Sequence, residues 1–522
     1  MLHTESRQGG EKNLHPLVLL LLCLITIGCT EATHKAEKVE LSDLSEWVDT
    51  HYALNAQQLA GHLEHFISTQ HDSLVADRVV KKYYKENPSL QWVSSKGLRA
   101  DADSLLAVLQ REVPQMGFDE KAFFLPQLQE AVERFHTLDF DEQHTAGSEV
   151  AQLDVLLTKA YVRYAIGQHY GFTRPESVFN AVDPKTVDTL GKVKTYCRLF
   201  DIKVEHPDYQ EPFRKLQADS VCPYLAEVLP TDGVYQKLQQ TMATATADER
   251  RRLAINMERR RWRTQRVENS RKHIFVNVAA QHLWAVDGDS VLPMRICYGA
   301  LKTKSPLLSS AITYMEINPN WGIPLSIIRN DVARHGGDSA YFARHRYTIY
   351  GPDGAVDPRH VTSSMLTSGR YRVSQKGGAG NSLGRIVFRF PNNFAVYLHD
   401  TSNRGAFQYA NRALSHGCIR VQKPFELAHY LLPEADEWTL DKIRISMDIK
   451  PETEQGRKYL KEHVDDERPL RLINTKSVDP HIPVVIDYYT AYPNPKTGAV
   501  ETWPDGYGYD RLLARSLKPF LR

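Results

Sequence analysis

The sequence predicts an α+β protein in which a helical N-terminal region precedes a β-rich region. Apolar residues between positions 153 and 164 recur at intervals of three and four, which is the spacing of an amphipathic helix. Beyond Lys272 the pattern changes to alternation, and Ile274, Val276 and Val278 share one face of a predicted strand. Because 522 residues exceed the size of one ordinary hydrophobic core, we expect two or three folding units.

The helical pattern extends over residues 41–263 and includes a second apolar stripe at Leu59, Leu63 and Ile67. Such stripes usually form a core, so this region is predicted to be a scaffold without chemistry of its own. The β-rich region is predicted to cover residues 264–450, with residues 451–522 as an extension packed on the body. Its strand signals lie at residues 274–278, 291–296, 313–317, 385–390 and 394–399, the last two joined by a hairpin turn at 391–393. We therefore expect a mixed or β-sandwich-like sheet.

The composition argues against a nucleic-acid-binding protein and against a disulfide-rich fold. Basic and acidic residues number 65 and 63, and no basic run with interleaved aromatic residues follows the pattern of a nucleic-acid-binding surface. Nucleic acid is therefore not an expected partner. Four cysteines remain after the N-terminal segment, which is too few for a disulfide framework, although Cys197 and Cys222 could pair.

The N-terminus has the pattern of an export signal. Residues 17–25 are uninterrupted and apolar, but they are too short for a membrane-spanning helix, which needs about 20 residues. Gly28 before Cys29 resembles the lipobox of bacterial lipoproteins, whose cysteine is acylated. We expect a signal peptide and lipobox at residues 1–29 and a tether at residues 30–40. An ordinary cleaved signal and a short uncleaved anchor are the alternatives.

The residues that carry chemistry lie in the segment Ser415-His416-Gly417-Cys418. A cysteine attacks as a thiolate, and an imidazole from a separate segment can take its proton. His399 ends a predicted strand on which Tyr397 shares its face, so it is the candidate base for Cys418. Gly417 permits unusual backbone angles beside the nucleophile and could help to form an oxyanion hole.

A histidine two residues before a cysteine also suits a zinc site. Such a site would need further ligands at tight spacing, and the nearby candidates, His429 and Asp400, complete no recognised ligand pattern. We therefore predict no metal and no other cofactor.

These motifs resemble those of the L,D-transpeptidases with a YkuD-type catalytic domain, whose signature is a histidine followed by [Ser/Thr]-His-Gly-Cys. Two further blocks, residues 255–259 with Trp262 and residues 317–321 with Pro324, resemble the large branch that carries an N-terminal scaffold domain. The resemblance implies that Cys418 is the acylated nucleophile and His399 its base. It also implies that Ser415, His416 and Gly417 shape the site and that Arg420, with Tyr397 and Trp321, binds substrate.

The implied activity is the formation of 3-3 cross-links between peptidoglycan stem peptides, which are the expected donor and acceptor. The implied location is the bacterial periplasm, with membrane contact through the lipid on Cys29 and cell-wall synthesis enzymes as possible partners. Water or a lipoprotein amine could replace the acceptor stem, which would make the protein a carboxypeptidase or a lipoprotein-attaching enzyme. A catalytically silent peptidoglycan-binding protein is the alternative of another class.

Overall fold

The computed structural model describes residue 54 and residues 56–94, 97–188, 192–465 and 470–522. The predicted signal peptide, Cys29 and the predicted tether lie outside the described residues. The chain forms two compact units: the first comprises the described residues up to Phe172 with His206–Asp232 and Leu517–Arg522, and the second comprises Thr173–Glu205 and Gly233–Ser516. Within the described ranges, no helix is both long and apolar enough to cross a bilayer.

The helices and strands follow one another in a mainly helical first half and a mainly β second half. The α-helices are α1 (Ala56–Thr69), α2 (Val75–Glu86), α3 (Ala100–Gln115), α4 (Leu125–Thr137), α5 (Ala146–Tyr170), α6 (Pro175–Phe179), α7 (Glu211–Gln217), α8 (Val221–Glu227), α9 (Gly233–Met242), α10 (Ala247–Arg261), α11 (Leu325–Ile327), α12 (Ser339–Arg344), α13 (Ser363–Thr367), α14 (Pro424–Leu431), α15 (Glu437–Ser446), α16 (Glu454–Glu462) and α17 (Tyr509–Ser516). The strands are β1 (Val93–Ser94), β2 (Gly97–Leu98), β3 (Pro184–Val187), β4 (Val193–Tyr196), β5 (Phe200–Asp201), β6 (Lys272–Asn277), β7 (His282–Asp287), β8 (Ser290–Gly299), β9 (Leu307–Ile317), β10 (Trp321–Gly322), β11 (Tyr347–Gly351), β12 (Gly354–Val356), β13 (Arg372–Gln375), β14 (Ile386–Arg389), β15 (Leu398–His399), β16 (Ala413–Ser415), β17 (Ile419–Val421), β18 (Thr475–Asp487), β19 (Ala491–Pro493) and β20 (Val500–Thr502).

The first unit is built around helix α5, which is buried along most of its length and contains the apolar stripe between Leu153 and Tyr164. Within this core the carboxylate of Asp154 accepts hydrogen bonds from the Tyr84 hydroxyl at 2.6 Å and from the Trp92 backbone N–H at 2.7 Å. A buried carboxylate is tolerated because such donors replace its lost hydration. These bonds therefore hold α2 and the segment before β1 against α5.

The predicted helical region also contains strands that the helical prediction missed. Strands β3 and β4 form an antiparallel pair whose residues are mostly exposed. Because neither face of this pair is buried, no alternating apolar pattern marks it in the sequence.

The second unit contains a closed mixed sheet. Its strand order is β14, β15, β17, β8, β7, β6, β18, β9, and β9 pairs again with β14 to close the ring. Outside the ring, β5 pairs with β9 and β16 pairs with β8. The β15–β17 and β6–β18 pairs are parallel, whereas the other pairs within the ring are antiparallel. The α+β prediction is thus confirmed, with a closed sheet as its β part.

Strand β18 lies between β6 and β9, although 197 residues of the chain separate it from β6 and 157 separate it from β9. The residues after 450 therefore contribute the longest strand of the central sheet. Its inner residues are Val484 and Ile486, which are both fully buried.

A small subdomain, residues 318–385, is inserted between β9 and β14 and is called here the inserted subdomain. It carries a four-stranded sheet of order β10, β13, β11, β12. Its core is apolar and includes Ile328, Phe342, Ile349, Leu366 and Val373. Since Ile317 pairs with Ile386, the chain leaves and re-enters the closed sheet at one point.

The predicted strand over residues 394–399 is mostly a loop. Only Leu398–His399 form a strand, which does pair antiparallel with β14 as the predicted hairpin requires. The Asn392 amide donates to the Val396 carbonyl at 2.7 Å and accepts from the Phe394 N–H at 2.9 Å. Ala395 has a φ of 53°. The side chain of Asn392 thus replaces the ladder bonds of a longer strand.

Candidate active site

Four predicted site residues lie at two neighbouring parallel strands: His399 and Arg420 within them, and Tyr397 and Cys418 directly before them. His399 of β15 pairs in register with Arg420 of β17. Tyr397 and Cys418 each precede these residues by two positions, so their side chains share the same face. The rings of Tyr397 and His399 meet edge to face with 5.9 Å between their centroids. The fold thereby gathers residues from two segments that the sequence separates.

The turn that carries Cys418 is held by Ser415. The Ser415 hydroxyl donates to the Cys418 carbonyl at 2.6 Å and accepts from the Gly417 N–H at 3.1 Å. Gly417 has a φ of 115°, a region that residues with a side chain rarely adopt. The Gly417 N–H is thus engaged inside the turn, which differs from the expected role of this amide in an open oxyanion hole.

A second set of buried hydrogen bonds supports the same turn. Ser305 is fully buried and its hydroxyl donates to the Gly417 carbonyl at 2.7 Å. The Tyr507 hydroxyl accepts from the Ser305 N–H at 3.1 Å and donates to the Gly299 carbonyl at 2.5 Å. Because Tyr507 follows β18 in the chain, residues far beyond Cys418 help to position the turn that carries Cys418.

Replacing Tyr507 by phenylalanine is expected to lower the free energy of unfolding by about 1–3 kcal/mol, because the buried Ser305 N–H loses its acceptor. Urea denaturation measures the change. The alkylation rate of Cys418 by iodoacetamide should change with it, since the turn loses an anchor. The matched control is Tyr409→Phe, because Tyr409 is 55% exposed. Equal stability of both variants would contradict the assignment.

The thiol of Cys418 is held in its neutral form. Burial raises its pKa to about 11, although hydrogen bonds from the Tyr397 backbone and hydroxyl and the positive charges of Arg389 and Arg420 favour the thiolate. Arg389 lies over the Tyr397 ring, 4.4 Å from its centroid. The thiolate must therefore form when a base takes the proton.

His399 is the candidate for that base. It is 4% exposed, and its Nδ1 hydrogen-bonds to the Asp400 carbonyl, so in the neutral ring Nδ1 carries the proton; the Leu383 carbonyl is a second backbone partner of the ring. Burial, with the nearby charge of Arg420, lowers its pKa to about 3. Both partners are thus neutral at pH 7. Among the described residues, no hydrogen bond joins His399 to Cys418.

The low pKa of His399 predicts an acid-sensitive fold. The unfolded imidazole binds a proton near pH 6.5, whereas the folded one resists protonation down to about pH 3, so stability falls as the pH drops between these values. By pH 4.5 the loss should be about 2–3 kcal/mol. His399→Gln removes this loss. Urea denaturation at pH 6.5 and 4.5 measures it, and identical pH dependence in wild type and variant would refute the prediction.

The other predicted site residues occupy different positions around the nucleophile. The Trp321 indole of the inserted subdomain lies close enough to the Tyr397 hydroxyl to favour its ionised form, although burial raises the Tyr397 pKa to about 12. His416 is turned outward, with its Nε2 at 3.4 Å from the Asp331 carboxylate in the inserted subdomain. The buried Nε of Arg420 has no hydrogen-bond partner among the described residues, so a donor remains beside Cys418 and His399.

Sequence reasoning missed Arg389, Asp331, Ser305 and Tyr507. Each contacts the site from a segment without a motif, and only their packing reveals them. Across the described ranges, no group of three or more His, Cys, Asp or Glu side chains is placed to hold a metal ion. The four cysteines of the described chain are all free, including Cys197 and Cys222.

Residues 271–446 match the family model of the L,D-transpeptidase catalytic domain, YkuD, and residues 78–242 match that of a scaffold domain. The chain contains a YkuD-type L,D-transpeptidase catalytic domain. A scaffold domain followed by the catalytic domain is the YcbB-like architecture. A Haemophilus influenzae protein named "Putative L,D-transpeptidase" is 34% identical over 266 residues, which are 50% of this chain and 48% of that protein. The chain thus matches about half the length of this relative.

The L,D-transpeptidase match includes both His399 and Cys418 but ends before β18. The closed sheet of the second unit nevertheless depends on β18, and the Cys418 turn is supported through Tyr507. The structural domain is therefore larger than the segment that the family model matches.

Proposed function

We propose that this L,D-transpeptidase forms 3-3 cross-links in peptidoglycan through a thioester on Cys418. The observation that carries the proposal is the common face of Tyr397, His399, Cys418 and Arg420, in which a neutral thiol and a neutral imidazole lie on adjacent strand ends. Because the pKa of the thiol lies far above that of the imidazole, proton transfer is uphill in the free enzyme, and the proposed reaction requires bound substrate to bring the two values closer together.

The first half-reaction would transfer the donor stem to the enzyme. His399 Nε2 takes the thiol proton, and Cys418 Sγ bonds to the carbonyl carbon between the third stem residue and its terminal D-alanine. The Cys418 N–H, which has no hydrogen-bond partner among the described residues, and the Tyr397 hydroxyl are the candidate donors to the oxyanion. The C–N bond then breaks, the His399 imidazolium protonates the departing amine, and a thioester remains.

The second half-reaction would use the amine of a second stem. His399 takes a proton from that amine as its nitrogen attacks the thioester carbonyl. The C–S bond breaks, and the thiolate recovers the proton from His399. The product is an amide between two third-position residues, and the enzyme returns to its neutral thiol and neutral imidazole.

Substrate orientation would come from the residues that surround this face. The buried Nε of Arg420 has no hydrogen-bond acceptor among the described residues. A carbonyl or carboxylate oxygen of the substrate could accept its hydrogen bond. The closeness of Trp321 to Tyr397 supports a role of the inserted subdomain in covering a bound stem. The proposal also places the enzyme in the cell envelope, with export by residues 1–29 and a lipid on Cys29 as its anchor.

The proposal is tested by incubating the purified full chain with a labelled tetrapeptide stem and separating the products. We expect release of D-alanine together with a cross-linked dimer. Tripeptide without dimer would identify a carboxypeptidase, and absence of D-alanine release would refute acyl transfer altogether. A parallel reaction that contains a lipoprotein amine in place of the second stem tests whether this amine is the acyl acceptor.

A further inference from the structure

Arg389 lies in the same row of the closed sheet as Cys418. The antiparallel register of β14 and β15, continued by one residue, places Arg389 opposite Tyr397. The parallel register of β15 and β17 likewise places Tyr397 beside Cys418, and the Ile419 N–H donates to the Tyr397 carbonyl at 3.1 Å. Residues directly opposite each other on neighbouring strands share one face of the sheet. The side chains of Arg389, Tyr397 and Cys418 therefore lie on one face.

The guanidinium of Arg389 extends along this row towards Cys418. Two strand spacings, or roughly 10 Å, separate the Cα atoms of the two residues. The guanidinium carbon lies 4.4 Å from the centroid of the Tyr397 ring, which stands between them. The positive charge of Arg389 lowers the pKa of the Cys418 thiol more than that of Arg420 does. Arg389 is thus the cation that acts most strongly on the reacting sulfur.

One donor of this guanidinium is unpaired. Arg389 Nη2 donates to the Glu316 carboxylate at 2.8 Å. Its Nε is buried without a hydrogen-bond partner among the described residues, whereas 28% of the whole side chain is exposed. A buried N–H without an acceptor costs free energy, and the planar donors of a guanidinium match a carboxylate. Arg389 therefore has the chemistry to bind a carboxylate of a ligand at Cys418.

The proposed reaction brings a carboxylate to this side of Cys418. His399, which protonates the departing amine, lies on β15 between the strands of Cys418 and Arg389. The departing residue therefore extends from Cys418 towards β14. Its carboxylate is joined to the carbon next to the amine nitrogen, so its oxygens lie within roughly 5 Å of the reacting carbonyl carbon. A hydrogen bond of about 3 Å from the guanidinium over Tyr397 spans the remaining distance.

We propose that Arg389 binds the terminal carboxylate of the donor stem and thereby selects stems in which one residue follows the reacting carbonyl. This inference rests on the proposed function for the identity of the donor. A longer stem would present a neutral amide to Arg389, which cannot form the charge-assisted hydrogen bond. Because the carboxylate leaves with D-alanine when the C–N bond breaks, Arg389 is free again in the thioester.

The test compares a tetrapeptide stem with the same stem ending in D-alaninamide, and mass spectrometry measures the released D-alanine or D-alaninamide. We expect the wild-type full chain to have a kcat/KM about tenfold higher for the free acid. Arg389→Gln should lower kcat/KM for the acid about tenfold and leave that for the amide within twofold. The matched control is Arg271→Gln, because Arg271 also pairs with a carboxylate, that of Asp287 at 3.3 Å, but is 85% exposed. It should change neither value.

Glu316→Gln tests the same contact while Arg389 stays in place. It removes the carboxylate that competes for the guanidinium. We expect it to raise kcat/KM for the acid about threefold and to leave that for the amide unchanged. A fall for both substrates would show that the Arg389–Glu316 pair supports the fold instead. Equal losses for both substrates in Arg389→Gln would likewise overturn the inference, because support of the fold or of the Cys418 thiolate affects both stems alike.

Binding to Cys418→Ala separates this inference from the proposed function. By isothermal titration calorimetry we expect a Kd about tenfold lower for the acid than for the amide, and adding Arg389→Gln should remove the difference. That result without D-alanine release by the wild type would overturn the proposed function alone. D-alanine release with equal Kd and equal kcat/KM for the two stems would overturn the role of Arg389 alone.

Discussion

Cys418→Ala is expected to abolish thioester formation and to lower the rate of D-alanine release by at least about 10,000-fold. Alanine has no atom that can bond to the donor carbonyl, and the second half-reaction depends on that bond. A carbapenem, whose strained amide should acylate the same sulfur, provides a direct readout. Intact-mass measurement after treatment should show one adduct on the wild type and none on Cys418→Ala.

The matched control for this experiment is Cys197→Ala. Cys197 is a free and partly exposed cysteine in the same structural unit, and we expect its replacement to leave both the adduct and the rate unchanged. An adduct of equal mass on Cys418→Ala would show that another residue is the nucleophile. Loss of the adduct on Cys197→Ala would show that the carbapenem acylates Cys197 rather than Cys418.

His399→Ala is expected to lower kcat by about 100- to 10,000-fold, because the reaction loses the base that ionises a thiol of pKa about 11. The Cys418 turn should keep its shape, since Ser415 and Ser305 hold it independently of the imidazole. A steady-state assay of D-alanine release measures the loss. Raising the pH towards 11 should restore part of the rate in the variant, because hydroxide then ionises the thiol without help.

His416→Ala is the comparison for that measurement. His416 is exposed and contacts Asp331 rather than Cys418, so we expect its loss to reduce the rate by less than tenfold. Equal rates for the two histidine variants would count against His399 as the base. If high pH did not raise the rate of His399→Ala, the variant's defect would not be the loss of the base that ionises Cys418.

The sequence by itself was enough to predict the fold class and the nucleophile with its base. The helical stripe within α5 and the alternation within β6 are local patterns, because burial repeats at every turn of a helix and every second residue of a strand. The prediction that Cys418 pairs with His399 rests on thiol and imidazole chemistry together with the resemblance of the motif to a known family.

Local patterns also led to one wrong prediction, the strand over residues 394–399. Alternation indicated an extended strand, but the Asn392 side chain takes over the backbone hydrogen bonds and leaves only Leu398–His399 in the sheet. A side chain that competes for backbone groups acts through geometry, which alternation of apolar residues does not contain.

The tertiary structure alone decided how the site is supported. Strand β18 enters the sheet between β6 and β9, and Tyr507 reaches the Cys418 turn through Ser305, although long stretches of chain separate these residues. The sequence determined which groups can react, whereas packing determined their neighbours, because contacts between distant segments leave no periodic or spaced signal along the chain.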